Sequence, residues 1–330
     1  GSYSLDANTS RANNGAVGYA ALTANTTASN NVAVGNHALG ANTTGAQNTS
    51  IGHQALKTNT TASNNTAVGY YALYANTTGS ENTGLGRNSL SANTTAGNNT
   101  AVGYASLEQN TTGDSNTAVG AYALEENTTA ANNTALGYLA LTTNTTGGSN
   151  TGIGKDSLRD TSTGDDNTGC GTFTLRANST GAYNTAVGRG ALIKNTTADS
   201  NTAVGRGSLY TNTTGASNVA VGDLALDANT TASNNVAIGA AALGANTTGT
   251  DNVAVGMQAL DSNTTASQNV AIGKNALGGS NSGSFNTAVG HEALISNTTG
   301  NPNTAIGANA LDANTTGAVS YTHLTLPTKA

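Results

Sequence analysis

The sequence predicts an all-β chain folded as a parallel β-solenoid, and three observations carry that prediction. A period of 17 residues runs through residues 1–318 without insertion or deletion. Each copy joins a short β-branched segment to a run of turn-forming residues, and no copy has a stretch that could form a helix and bury it. Charged side chains make up 8% of the 330 residues and aromatic ones 4%, too few of either for an ordinary enzyme domain with one large core. Self-similarity at a short fixed period marks stacked units that bury their apolar surface only against their neighbours.

The period is visible in single residue types. Glycine keeps it from Gly1 through Gly18, Gly35 and Gly52 to Gly307, and leucine keeps it from Leu5 to Leu311. The copy from Asn65 to Glu81 reads NTAVGYYALYANTTGSE, and its residues name the columns of the array below. Seventeen residues hold at most one helix and a turn, and glycine, asparagine and threonine recur where a helix interior would fall. The TAV segment therefore reads as a strand. Coils stacked at the strand spacing of about 4.8 Å would make an elongated β-roll of about 18 coils.

Each part of the coil follows. Val68 and Leu73 lie five residues apart, an odd offset that puts them on opposite faces of a continuous strand. The chain is expected to bend at Gly69, where a missing Cβ removes the penalty for a left-handed backbone. The expected result is two short strands, around Val68 and around Leu73, folded over a thin core. NTTG closes the coil, and the asparagines of the Asn76 column, from Asn8 to Asn314 with Thr161 and Ser280 as departures, are expected to hydrogen-bond amide to amide between coils. In the Val68 column, where isoleucine and leucine also occur, Cys170 reads as a small buried hydrophobe. The alanine before the valine is replaced only by Ser50, Gly84, Gly152 and Gly169. With valine inside, that small column faces outward, where close packing against another chain would keep it small; crowding inside the coil is the alternative.

Composition narrows the function. Seventeen acids and eleven bases give a net charge of −6, too sparse for a nucleic-acid groove or an anionic-membrane anchor. One cysteine excludes a disulfide framework and a cysteine-rich zinc site. No apolar run approaches the roughly 18 residues of a membrane span. His37 and His53 fall in adjacent coils without a third recurring ligand, so no metal is expected. The acids form no repeated pair of the kind a carbohydrate-active β-helix enzyme needs, so no catalytic residue and no cofactor is expected. The aspartate-bearing calcium repeat is missing as well. Each NTT satisfies the N-x-T glycosylation pattern, but a turn and an inter-coil ladder account for its periodicity. The Gly79 column alternates with alanine, as in Ala28, Gly45, Ala62 and Ala96, which points to a duplicated pair of coils.

The NTAVG and NTAIG segments, followed by a small residue, leucine and a polar turn, resemble the head repeats of trimeric autotransporter adhesins. They resemble more closely the NTAVG/NTAIG and NTTG arrays of phage-type and bacterial tail-fibre proteins. The resemblance covers residues 1–318. It implies parallel β-rolls of three chains wound together, displayed at a cell surface or on a virion and touching a host surface. The adhesin repeat is a few residues shorter than this one. Residues 319–328, VSYTHLTLPT, break the period and resemble a translated sequencing adapter, so 319–330 are expected to be non-biological and the array truncated at both ends.

Recognition is expected in the columns after the glycine and the leucine, which hold most of the charge and aromaticity. Tyr70, Tyr104 and Tyr138 share a column two coils apart, with Tyr71, Tyr74 and Tyr122 beside them. Such a ladder is the candidate contact surface for a glycan or protein receptor. Lys155, Arg159, Arg176, Arg189, Lys194 and Arg206 form a basic cluster interleaved with Asp156, Asp160, Asp165, Asp166 and Asp199, and read as a solvated mixed-charge face. The leading expectation is a non-enzymatic extracellular fibre, a homotrimer by resemblance. The alternatives are an ice-binding solenoid using the Thr77 or Thr78 column, and a carbohydrate-active enzyme.

Overall fold

The computed structural model describes residues 1–9, 13–279 and 282–318. The non-repeat tail lies outside the described residues. The chain is an all-β parallel β-solenoid with one three-residue strand per coil and no helix among the described residues. It forms two compact units, Gly1–Asn167 and Thr168–Ala330. The first holds β1 (Gly15–Val17) to β9 (Thr151–Ile153), the second β10 (Thr168–Cys170) to β18 (Thr304–Ile306). Within each unit successive strands pair in parallel, and each residue faces the one 17 positions on: Thr66 pairs with Thr83, Ala67 with Gly84 and Val68 with Leu85.

The faces of the strand are the reverse of the expectation. Ala67 is fully buried, as are Ala33, Ala101, Ala118 and Ala135 in the same column. The Val68 column points out, with Leu85 at 46% exposure, Leu136 at 47% and Ile51 at 39%. Cys170 belongs to that column and is exposed, so it is no core residue. The reason is room. A Cβ on Gly84 would already lie 3.0 Å from Ser89 Oγ and 3.4 Å from Leu73 Cγ, so the inward position of the strand holds a methyl group or, at Ser50, a hydroxymethyl whose oxygen donates to the Ala55 carbonyl. Crowding within the coil, and not a partner outside it, keeps the alanine column small.

A second strand around Leu73 does not form. That segment is a run of turns in which Tyr71 and Leu73 both adopt left-handed backbone, with φ of 57° and 51°. Such a conformation is disfavoured for a leucine. Burial holds it there, because every leucine of this column from Leu22 to Leu209 is fully enclosed. The bend at Gly69 is present, with φ of 140°. The same column requires glycine for a second reason, since a Cβ on Gly137 would sit 2.6 Å from the Gly154 carbonyl oxygen of the next coil.

Two buried asparagine ladders complete the core. In the Asn76 column, the Nδ2 of Asn76 donates to Asn59 Oδ1 at 2.9 Å and to the Gly79 carbonyl at 2.9 Å, while its Oδ1 accepts from Asn93 Nδ2 at 2.8 Å. This is the expected amide-to-amide ladder. In the Asn65 column, Oδ1 accepts the backbone N–H of Asn82 at 2.9 Å, and Nδ2 donates to the Gly79 carbonyl at 3.0 Å. Both columns thus converge on one carbonyl per coil. Buried polar groups are tolerated when partnered in this way, and costly when they are not.

Candidate functional site

With small and amide side chains inside, the longer side chains are left on the surface, and they sort into distinct faces. The flat face of the strands carries the Thr66 and Val68 columns. It has no charged residue from β1 to β18, and its members are threonine or valine beside valine, isoleucine, leucine or cysteine, with Gly15 as the one exception. The Tyr70, Tyr71 and Tyr74 columns, on the turns beyond the glycine, carry most of the aromatic and charged side chains.

In the first unit those columns build a continuous ladder. Tyr70, Tyr104 and Tyr138 are 44%, 41% and 48% exposed. The Arg87 guanidinium lies 5.7 Å from the Tyr70 ring and 5.7 Å from the Tyr104 ring, so it fills the coil between them. Cation–π contacts at this range are worth about 0.5–1 kcal/mol at exposed sites. Tyr104 continues to Tyr122 at 5.1 Å and Tyr122 to Tyr138 at 6.2 Å, both edge-on. On the other side His53 stacks on Tyr70 at 5.2 Å and 10°. His37 packs edge-on against Tyr19, so both histidines are engaged with tyrosines.

Tyr71 and Tyr74 are half-buried and touch at 4.9 Å. They flank a shallow groove of about 400 Å3, whose far side is Asn88 and Glu108, joined by a 3.1 Å hydrogen bond. A hydrogen bond with Tyr70 and burial together raise the Tyr71 hydroxyl above its ordinary pKa. All six tyrosines singled out in the sequence, Tyr70, Tyr71, Tyr74, Tyr104, Tyr122 and Tyr138, therefore lie on one side of the first unit. Arg87 and His53 were missed as members of the ladder, although both stand in the Tyr70 column and the spacing alone placed Arg87 between two rings.

The basic cluster divides. Lys155 and Arg159 pair with acids of their own coil, Arg159 with Asp160 at 2.7 Å and with Asp156 at 3.6 Å. Hydrogen bonding to Asp160 raises the Arg159 pKa further. Asp165 and Asp199 are spent on backbone, accepting the N–H groups of Gly148 at 2.6 Å and Ala182 at 2.7 Å. In the second unit Arg206 forms two 2.8 Å hydrogen bonds to Asp223, which hold that carboxyl below the usual carboxylate range.

Neither the glycosylation pattern nor the Thr77 column offers a surface site. The Asn76 side chain is fully buried, and the Thr77 hydroxyl donates to the Thr94 carbonyl at 3.0 Å. No protein-family model matches this chain, and no curated protein or solved structure is significantly similar to it.

Proposed function

We propose that this chain is a segment of a non-enzymatic extracellular fibre in which copies of the chain, three by the resemblance of the repeat, pack side by side through the Thr66 and Val68 columns. The observation that carries the reading is the exposed aliphatic face, charge-free in every coil of both units. Extended apolar patches on a soluble surface mark sites of association. A second copy is the partner that fits best, because its own coils repeat at the same spacing and can meet this face in register, coil against coil, within each unit. The tyrosine ladder, Tyr70, Tyr71, Tyr74, Tyr104 and Tyr138, then stays outside the assembly as a repeated surface for weak contacts with a glycan or protein receptor, summed by avidity.

Sedimentation equilibrium tests the assembly. The expected result is a discrete oligomer that dissociates when Val102 and Val119 are both replaced by Asp, with the monomer's far-ultraviolet spectrum unchanged. Cys170 supplies a second readout, since its thiol should react readily in the dissociated chain and be protected in the oligomer. A monodisperse monomer at high concentration would count against the reading.

A second reading rests on the same face. From β3 to β9 the Thr66 column is threonine in every strand and presents hydroxyl and methyl groups at strand spacing, beside an aliphatic column, which suits an ordered water lattice. The ice-binding alternative, expected on the Thr77 or Thr78 column, is here proposed for the sheet face instead. A chain that stays monomeric and shows thermal hysteresis would favour it, and hysteresis absent from a monomeric chain would remove it.

A further inference from the structure

The Tyr71 column of the second unit contains two successive glycines, Gly190 and Gly207, both buried, with φ of 70° and 64°. The backbone does not demand glycine at this column. Ala105 and Ala241 adopt φ of 53° and 54° there, and Leu139 and Leu224 adopt 56° and 54°. What the two glycines supply is space, taken up at Gly207 by Leu224, whose Cδ2 lies 2.9 Å from where a Cβ would stand, and left open at Gly190. A Cβ on Gly190 would point at the Tyr210 ring from 3.6 Å, into a cavity of about 340 Å3. That volume is at the lower end of small-molecule sites, which run from roughly 300 to 1,000 Å3.

The walls have two chemistries. Phe173, Tyr210 and Leu224 offer apolar and aromatic surface, and three arginines, Arg176, Arg189 and Arg206, line the same cavity. Arg176 lies over the Phe173 ring at 5.6 Å. Arg206 is neutralised by Asp223 at 2.8 Å, but among the described residues no carboxylate stands within ion-pair distance of Arg176 or Arg189. The cavity therefore holds uncompensated positive charge beside aromatic rings. Guanidinium forks match carboxylate oxygens, and aromatic faces stack on the C–H face of a sugar ring.

We propose that this cavity binds an acidic saccharide, with the carboxylate held by Arg176 and Arg189 and the ring against Tyr210 and Phe173. The site is built within one chain, so it stands or falls independently of the fibre reading. The test is a calorimetric titration of the full chain with a glucuronate-terminated disaccharide, its neutral glucose counterpart, sodium acetate and sodium sulfate. Saturable binding of the glucuronate compound is expected, at least about tenfold tighter than the neutral one and weakened by added salt. Arg189→Gln and Gly190→Leu should each weaken it about tenfold or more. Lys274→Gln, which removes the same charge from a distant coil, should leave it unchanged. Circular dichroism checks that the variants fold, and Arg176→Gln replaces Gly190→Leu if the plugged chain does not. No saturable binding of the glucuronate compound overturns the proposal, as does binding that survives both cavity variants. Equal affinity for acetate or sulfate would reduce the site to a bare anion site and overturn it as well.

Discussion

Replacing Thr161 by Asn should stabilise the first unit, and the size of the effect follows from one interruption in a hydrogen-bonded column. Thr161 stands in the Asn76 column, which carries asparagine at every other position but Ser280. The amide of Asn144 keeps its own donors, to Asn127 Oδ1 at 3.1 Å and the Gly147 carbonyl at 2.9 Å, but its Oδ1 is buried without a partner, and so is Thr161 Oγ1. The backbone at the break is undistorted, since the Thr161 N–H reaches the Leu158 carbonyl at 3.2 Å as that of Asn144 reaches Leu141 at 3.2 Å. An asparagine there restores a donor to Asn144 Oδ1 and another to the Gly164 carbonyl. Each net bond contributes about 0.5–1.5 kcal/mol, and an orphaned buried acceptor costs about 1–3 kcal/mol. The expected gain is about 2 kcal/mol, or about 4–8 °C in the midpoint of a cooperative unit of this size. Long arrays lose strict two-state behaviour, so amide exchange around Asn144 and Leu158 is the sharper readout beside the thermal scan. The mirror variant, Asn127→Thr, breaks an intact ladder and should cost about the same or more. A T161N chain that melts and exchanges like its parent refutes the claim that the ladder contributes to stability.

Other expectations follow from single contacts. Gly137→Ala forces a side chain into the Gly154 carbonyl at a φ of 142° and should destabilise by about 3 kcal/mol or more in urea, whereas Gly15→Ala, with nothing within 4 Å of its Cβ, should be close to neutral. Glu125 has its pKa raised by burial and by the charges of Glu108 and Glu126. The folded state therefore holds that proton more tightly than the unfolded one, and stability falls as pH rises from the unfolded carboxyl pKa through the folded one. Glu125→Gln should thus stabilise at neutral pH, with the advantage shrinking as the pH drops below that window in parallel melts. Calorimetry of the single chain should give a heat-capacity change per residue below the usual value of about 12–15 cal/mol/K, because so little of what each coil buries is apolar.

The period, the strand and the asparagine ladder were legible because each depends on one residue type returning at one spacing. The orientation of the strand was harder to read, since valine is the larger hydrophobe and the usual reading puts it inside. A signal was present nonetheless. Where the Ala67 column loses its methyl group, at Gly84, Gly152 and Gly169, the Ala72 column gains bulk, as Ser89, Ser157 and Thr174. Compensation of volume between two columns means that they face each other, and both are buried. The alternation of the Gly79 column has a steric reason too. A Cβ on Gly45 would overlap the Ala62 carbonyl and lie 2.6 Å from Asn42 Oδ1, so alanine fits only in the coils between. The arginine-lined cavity was legible only in part: Arg176, Arg189 and Arg206 stand out as a basic cluster, but the opening between them depends on side chains missing at Gly190 and Gly207, and a glycine in a repeat marks a turn as readily as a space.

The inverted strand changes what the fold is for. Most small β domains hide their branched aliphatics and leave amides to water. Here the described coils, that of Thr161 apart, do the opposite, closing on two buried asparagines that share one carbonyl, as in Asn65, Asn76 and Gly79, and leaving the branched aliphatic residue of the strand outside. A ladder of amides fixes the register of successive coils more strictly than an aliphatic core, since a slip would orphan two polar groups in each coil at about 1–3 kcal/mol apiece. That strictness is what lets one exposed column stay aligned over coil after coil. The aliphatic face is thus a product of the polar core beneath it, and any partner it takes must match a spacing set from inside.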